Sequence, residues 1–388
     1  VSDPIPLSIP HLSGNEWKYI KACLDENAVA AAGPWIERFE RAVAEFVGAP
    51  HAVAAASGTA ALHVALRTLD VGPEDAVIVP DFTFVAPVNA VRYCGAMPVL
   101  LDVDRRTASL DPRTVESFLR TQCDRRPEGV RHRASGRRVR VVLPVHLYGH
   151  PADLDPIGNL AREFGLWVVE DAAECLGAKY QGVRVGGRGD IVCFSFNGNK
   201  VITSGAGGMI VSAREDWIRR ARHLITQARA HPTEYLHDEI GFNYRMPSLN
   251  AALGCAQVEL LDGYLGRKRR MAERYSKALA NVPGLSLLGE EPWAWSSFWL
   301  TTVLVDPVLG VERMAASLRR DGIEARRVWP PLHGQSPYRD CPFFGAANAD
   351  WLYSRGLNLP SSVGLSDSAQ DRAILALKQA AEACGARP

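Results

Sequence analysis

The chain has 388 residues, enough for two or three domains and a large apolar core, which excludes a small stapled scaffold. With 47% hydrophobic and 22% charged residues it is an ordinary folded chain, neither fibrous nor disordered. Lys+Arg 44 against Asp+Glu 43 leaves a formal charge of +1, no field to draw it to nucleic acid or an anionic membrane.

From about residue 50 to 210, short apolar runs alternate with amphipathic stretches, the pattern of parallel strands joined by helices. Strands are predicted at 51–56, 76–79, 97–101, 139–145, 166–169, 191–196 and 208–211. The stretch 60–69, with Leu62, Ala65, Leu66 and Leu69 on one face, predicts a covering helix. Seven Arg within 124–140, interrupted by Pro127, Gly129 and Gly136, read as a solvated loop. After a helical stretch at 249–265 the texture changes, and the basic run GRKRR at 266–270 opens another amphipathic helix, 271–279. A strand at 297–305, a helix at 311–321, a strand at 323–328 and a last helix near 367–384 follow. The expected division is a large three-layer α/β domain over 1–255, with a mostly parallel sheet, and a smaller α+β domain over 256–388. The N-terminal segment is free to pack on the smaller one.

The eight Cys are scattered without a C-x-x-C pair or zinc spacing, so buried free thiols are expected. His146 and His150 sit in HLYGH among Pro144, Gly149 and Pro151, a strand end and loop rather than a metal-binding helix, and no metal is expected. No apolar run approaches the roughly 20 residues of a membrane span, and the opening residues lack the parts of a signal peptide. A cytoplasmic protein with no membrane or nucleic-acid partner is the expectation.

Four features fall at predicted strand ends, where open α/β sheets bind ligands. Ser57-Gly58-Thr59 lies between a strand and a helix, so backbone N–H groups and hydroxyls face one point: a phosphate site, or a plain N-cap. Asp171 ends the apolar run 166–169 with Glu170 before it and Glu174 after it. A carboxylate there needs a partner, which a cationic ring nitrogen, a metal or an Arg would supply. Lys200 lies between an apolar strand and glycines 205, 207 and 208, and an amine confined in this way is a nucleophile for carbonyl groups. Phe84 is placed to stack on a flat ligand or to join the core. Together a phosphate cup, a strand-end Asp and a Lys fit pyridoxal phosphate.

The motifs SGTAAL (57–62), PVHLYGHPAD (144–153), EDAAE (170–174), SFNGNK (195–200) and GFNYRM (241–246) occur in the order seen in the DegT/DnrJ/EryC1/StrS sugar aminotransferases, which the chain resembles over nearly its whole length. The resemblance implies a fold type I enzyme, similar to aspartate aminotransferase, working as a homodimer with shared active sites. It implies that Lys200 bears the cofactor and Asp171 pairs with its ring nitrogen. Gly58, Thr59 and Ser195 would hold the phosphate, Phe84 would stack on the ring, and Asn243 would reach the neighbouring subunit's phosphate. Arg245 and His333 would face the substrate.

The resemblance also makes Glu174 a cofactor-binding residue, standing where Gln or His usually contacts the ring oxygen in the family, and Asn197 and Asn199 replace the more usual His and Thr. Both departures resemble the branch that transfers an amino group from L-glutamate to C4 of UDP-4-keto-6-deoxy-N-acetylhexosamines, toward bacillosamine or legionaminic acid. A dTDP-linked or C3-keto sugar is the nearer alternative. A non-catalytic protein that binds the cofactor is the remoter one, disfavoured by the complete Lys, Asp and phosphate set.

Overall fold

Short Val- and Ile-rich runs can be buried on both faces only if helices are laid over both sides of their sheet. In the computed structural model, which describes residues 3–385, the strands lie in the spatial order His51–Ala55, Gly208–Ser212, Ile191–Ser195, Trp167–Asp171, Arg138–Val142, Asp75–Pro80, Met97–Leu101 and Phe343–Phe344. All neighbours are parallel except at Gly208–Ser212, which is antiparallel to both of its own. A parallel return needs a long, usually helical, crossover, whereas residues 196–207 form no helix and simply turn the chain back. Lys200 rides on that turn.

Helices Pro34–Val47, Gly58–Thr68 and Glu215–Ile225 pack on one side of the sheet, Pro112–Gln122 and Leu154–Phe164 on the other. The two sides have separate cores, one around Phe39, Leu62, Phe194 and Phe196, the other around Ile78, Leu101, Phe118 and Ile157. This is the expected three-layer arrangement with a mostly parallel sheet.

The C-terminal part builds a second, antiparallel sheet in the order Leu285–Leu287, Thr301–Val305, Gly356–Leu359 and Arg326–Arg327. Helices Leu261–Leu279, Val311–Arg320 and Asp367–Gly385 back it, and Tyr275, Val303, Met314 and Leu377 fill its core. Ile5 is buried in the same core and bridges Ile323, so the N-terminal strap lies against this sheet.

Several expectations are corrected. The basic segment is not a loop: Cys123–Arg126 and Gly129–His132 form an antiparallel hairpin leading into Arg138–Val142. Val130 and His132 turn inward onto Cys123 and Phe118, while Arg133 bonds Asp124, Arg138 bonds Asp75 and Arg140 bonds the Leu69 carbonyl. Alternation at this spacing was hidden by the density of charge. The stretch 249–265 divides into helices Ser248–Val258 and Leu261–Leu279, and the basic run lies inside the second helix rather than at its start. The strand expected at 297–305 begins only at Thr301, because residues 296–300 turn over the loop that follows Arg138–Val142, bonding the Tyr148 and Gly149 carbonyls, with Phe298 at φ 45°. The strand expected at 323–328 shrinks to Arg326–Arg327. All eight Cys are buried and free. Among the described residues no helix is long and apolar enough to cross a membrane.

Candidate active site

The helix Gly58–Thr68 starts where the strand His51–Ala55 ends, and Ser57 caps it by accepting from the Ala60 N–H at 3.1 Å. The N–H groups of Gly58 and Thr59 have no intrahelical acceptor and stand at the positive end of the helix dipole. Gly58 must be glycine here, since a Cβ would stand 2.8 Å from the Ser195 Cβ. The bare backbone thus brings the Ser195 hydroxyl beside the helix start, and the result is a cup for an anion.

The cup opens into a cavity of about 570 Å³, whose walls also carry Phe84, Asp171, Glu174 and Lys200. Asp171 is buried at the strand end, its Oδ1 accepting from the Ala173 N–H at 3.0 Å, and burial pushes its pKa above the usual carboxylate value. Glu174 is also buried. Its Oε2 accepts from the Tyr148 N–H at 2.9 Å and its Oε1 lies 3.3 Å from the Lys200 Nζ. Desolvation raises its pKa to about 7, although Lys200 and the Tyr148 N–H both pull the other way. The site therefore holds two desolvated carboxylates around one amine, a charge balance that a cationic ring nitrogen would complete.

One wall of the cavity is aromatic, and apart from Phe84 it was not read from the sequence. The Trp299 indole covers the Lys200 amine, with Nζ 4.1 Å from the ring centroid, and donates its Nε1–H to the Asn199 carbonyl at 2.6 Å. Trp329 stacks on Tyr148 with ring centroids 5.0 Å apart, and Phe84 tilts against Trp329 at 6.0 Å. The loop bearing Trp299 comes this close because residue 149 is glycine: a Cβ there would stand 2.5 to 2.7 Å from Ser297 Oγ and from the N atoms of Phe298 and Trp299. Gly149 has φ +99° and Tyr148 φ 55°, so the HLYGH turn carries backbone strain where it points the Tyr148 N–H at Glu174. The Gly after Tyr148 was the only sequence signal for this crossing. The strap residues Leu7 and Ser8 also line the cavity, and the Ser8 Oγ donates to the Asn199 carbonyl at 3.0 Å.

Three expected site residues do not line the cavity of their own chain. Asn243 and Arg245 are exposed on a segment that bridges Thr226 and Ala55, next to the helix cup. His333 is anchored by Asp81, with Nδ1 at 2.7 Å from the carboxylate, and stacks on Phe343. His146 and His150 do not converge on a metal site. His146 Nδ1 accepts from the Ala152 N–H, and its Nε2 meets the buried Glu170, while His150 accepts from the Glu291 N–H.

These residues fit pyridoxal phosphate on the structure's own terms. An anion cup that a side chain at 58 would fill, a buried carboxylate with one backbone partner and a covered amine border a single cavity. Comparison with known proteins agrees. Residues 10–378 match the DegT/DnrJ/EryC1/StrS aminotransferase family. The GDP-perosamine synthase of Caulobacter vibrioides is 38% identical over 97% of this chain and 98% of its own length. That of Vibrio cholerae is 37% identical over 94% and 95%. The crystal structure of DesI, determined in the presence of its TDP-sugar product, superposes with a TM-score of 0.88 at 27% identity, over 98% of this chain and 94% of that one.

Proposed function

This chain belongs to the DegT/DnrJ/EryC1/StrS aminotransferase family and is a pyridoxal-phosphate-dependent nucleotide-sugar aminotransferase of fold type I, and on that premise we propose that it moves an amino group from L-glutamate to the C4 ketone of a GDP-linked 4-keto-6-deoxy sugar. The observation that carries the site assignment is the meeting of Lys200, Asp171 and the Gly58 cup in one cavity. The nucleotide and the sugar rest on the two GDP-perosamine synthases, similar over almost the whole chain. A UDP-linked N-acetyl sugar is the second reading, from the branch that Glu174, Asn197 and Asn199 resemble. A TDP sugar is the third, after DesI.

Bound in the cavity, pyridoxal phosphate supplies an electron sink that weakens the C–H bond beside an amine. The N–H groups of Gly58 and Thr59 and the Ser195 hydroxyl hold the phosphate. Asp171, desolvated and short of partners, holds a positive charge on the ring nitrogen. The Lys200 amine, once free, takes the proton from the donor's α-carbon and later returns one to C4 of the sugar, acting as base and then acid. Glu174 and Trp299 fix where that amine stands, and Phe84 covers the flat ring. Asn243 and Arg245 are exposed beside the cup and act in the cavity of a second copy, as a homodimer with shared sites requires. His333, rigid on Asp81, is assigned to the substrate side.

The test is amino transfer from glutamate to a panel of GDP-, UDP- and dTDP-linked 3-keto and 4-keto sugars, followed by mass spectrometry. Preferred turnover of the GDP-linked 4-keto sugar supports the proposal. Preferred turnover of the UDP-linked N-acetyl sugar replaces it with the second reading and a bacillosamine or legionaminic acid type of product. Loss of transfer in Lys200→Ala is expected, and a variant with catalytic turnover would remove the site assignment.

A further inference from the structure

Lys268 belongs to the basic run GRKRR at 266–270, yet it is 2% exposed inside the helix Leu261–Leu279. A buried ammonium without a counter-charge is costly, and no carboxylate among the described residues pairs with this one. Its Nζ donates instead to two main-chain oxygens, of Trp299 at 2.9 Å and Ser361 at 2.6 Å. Burial pulls its pKa down to about 7. An apolar side chain would avoid this cost, so the interaction with those carbonyls needs a reason.

Both carbonyls belong to segments at the cavity's edge, where Trp299 and Asn358 form part of the lining. Trp299 follows Phe298, whose φ of 45° is strained for a bulky residue and persists only if its surroundings hold it. The same helix does so twice, through Lys268 on the Trp299 carbonyl and through the Arg269 guanidinium on the Ser296 carbonyl at 2.8 Å. The indole fixed in this way is the group that covers the Lys200 amine.

We propose that Lys268 is a positioning residue for Lys200: by fixing the main chain at Trp299, it holds the indole face against the amine and presents that amine to the cavity. The inference rests on the reading of Lys200 as the residue that bears the cofactor. It makes a helix of the second sheet's layer part of the first sheet's chemistry.

The experiment is a double-mutant cycle in the full chain, with Lys268→Met and Trp299→Leu made singly and together. The readouts are the rate at which cofactor-free protein captures pyridoxal phosphate, followed by visible absorbance, and the thermal midpoint. Each single change is expected to slow capture about tenfold, a modest cost for misplacing a reacting group. The double variant is expected to be no slower than Trp299→Leu alone. Additive slowing, or a lowered midpoint with capture unchanged, overturns the proposal. Should Lys268→Met fail to fold, Lys268→Arg is expected to keep fast capture and Lys268→Gln to lose it, and equal capture by the two overturns the proposal. Lys200→Ala separates the two readings. A visible band formed covalently in that variant sinks the role of Lys200 itself, whereas its absence beside an additive cycle sinks only that of Lys268.

Discussion

Glu174 concentrates the electrostatics of the site in one side chain. Its folded pKa, about 7, lies above the ordinary 4.5 because desolvation outweighs the Lys200 amine and the Tyr148 N–H. The native state therefore binds the proton more tightly than the unfolded chain does. The stability this contributes is fully present below about pH 4.5 and is lost as pH rises through about 7. Glu174→Gln removes that loss. Thermal unfolding of the cofactor-free protein is expected to favour the variant over the parent more at pH 8 than at pH 5, and a constant difference across that range would contradict the assignment. Asp171 shifts in the same direction for the same cause, burial. A cationic ring nitrogen beside it reverses the shift, which ties cofactor binding to the ionised carboxylate.

At the scale of elements, the site is made by two close crossings of backbone. In the first, Gly58 lets the helix start lie against Ser195, and in the second Gly149 lets the segment 296–300 lie on the HLYGH turn. The second is the more demanding, because residue 149 has positive φ and a Cβ there would meet the backbone N atoms of Phe298 and Trp299 as well as the Ser297 Oγ. Gly149→Ala is expected to cost ~2–4 kcal/mol in urea unfolding, from left-handed strain and forced displacement of the loop. Cofactor affinity should fall in the same variant, because Trp299 is on the displaced loop, and a titration by visible absorbance measures it. Parent-like stability with parent-like affinity would mean that the crossing relaxes without consequence for Lys200.

For the molecule as a whole, the second sheet is tied to the cavity by three threads. The strap passes from Ile5, in the second core, through Leu7 and Ser8 to the Asn199 carbonyl beside Lys200. The Leu7 N–H donates to Glu324 at 2.9 Å, and the Leu7 carbonyl accepts from the Ser361 N–H at 2.7 Å. The other threads are the Lys268 clamp and Asn358, which reaches the cavity from the strand Gly356–Leu359. Ile5→Ala leaves a hole in the second core and is expected to lower stability by ~3 kcal/mol in urea. A weaker hold of the strap on Asn199 should accompany it, read as a raised KM for the sugar. A stability change under about 1 kcal/mol would show that the strap's pairing with Ile323, not burial, secures it.

What is local in the chain was legible from the order of its residues. Apolar runs of four to seven residues marked the strands of the first sheet, and Ser57-Gly58-Thr59 marked a helix start, because periodicity and capping act between near neighbours. Asp171 and Lys200 stood out for the same reason, each set by the few residues beside it at a strand end. Charge density misled where it masked alternation, as in the hairpin from Cys123 to His132. The rest depends on contacts between distant parts of the folded chain. Trp299 meets Asn199 across 100 positions and Ser8 meets it across 191, and Lys268 recognises carbonyls rather than side chains. Main-chain oxygens carry no residue identity, and long-range contacts leave no period in one sequence. The groups that hold Lys200 in place therefore become visible only when the folded chain brings them together.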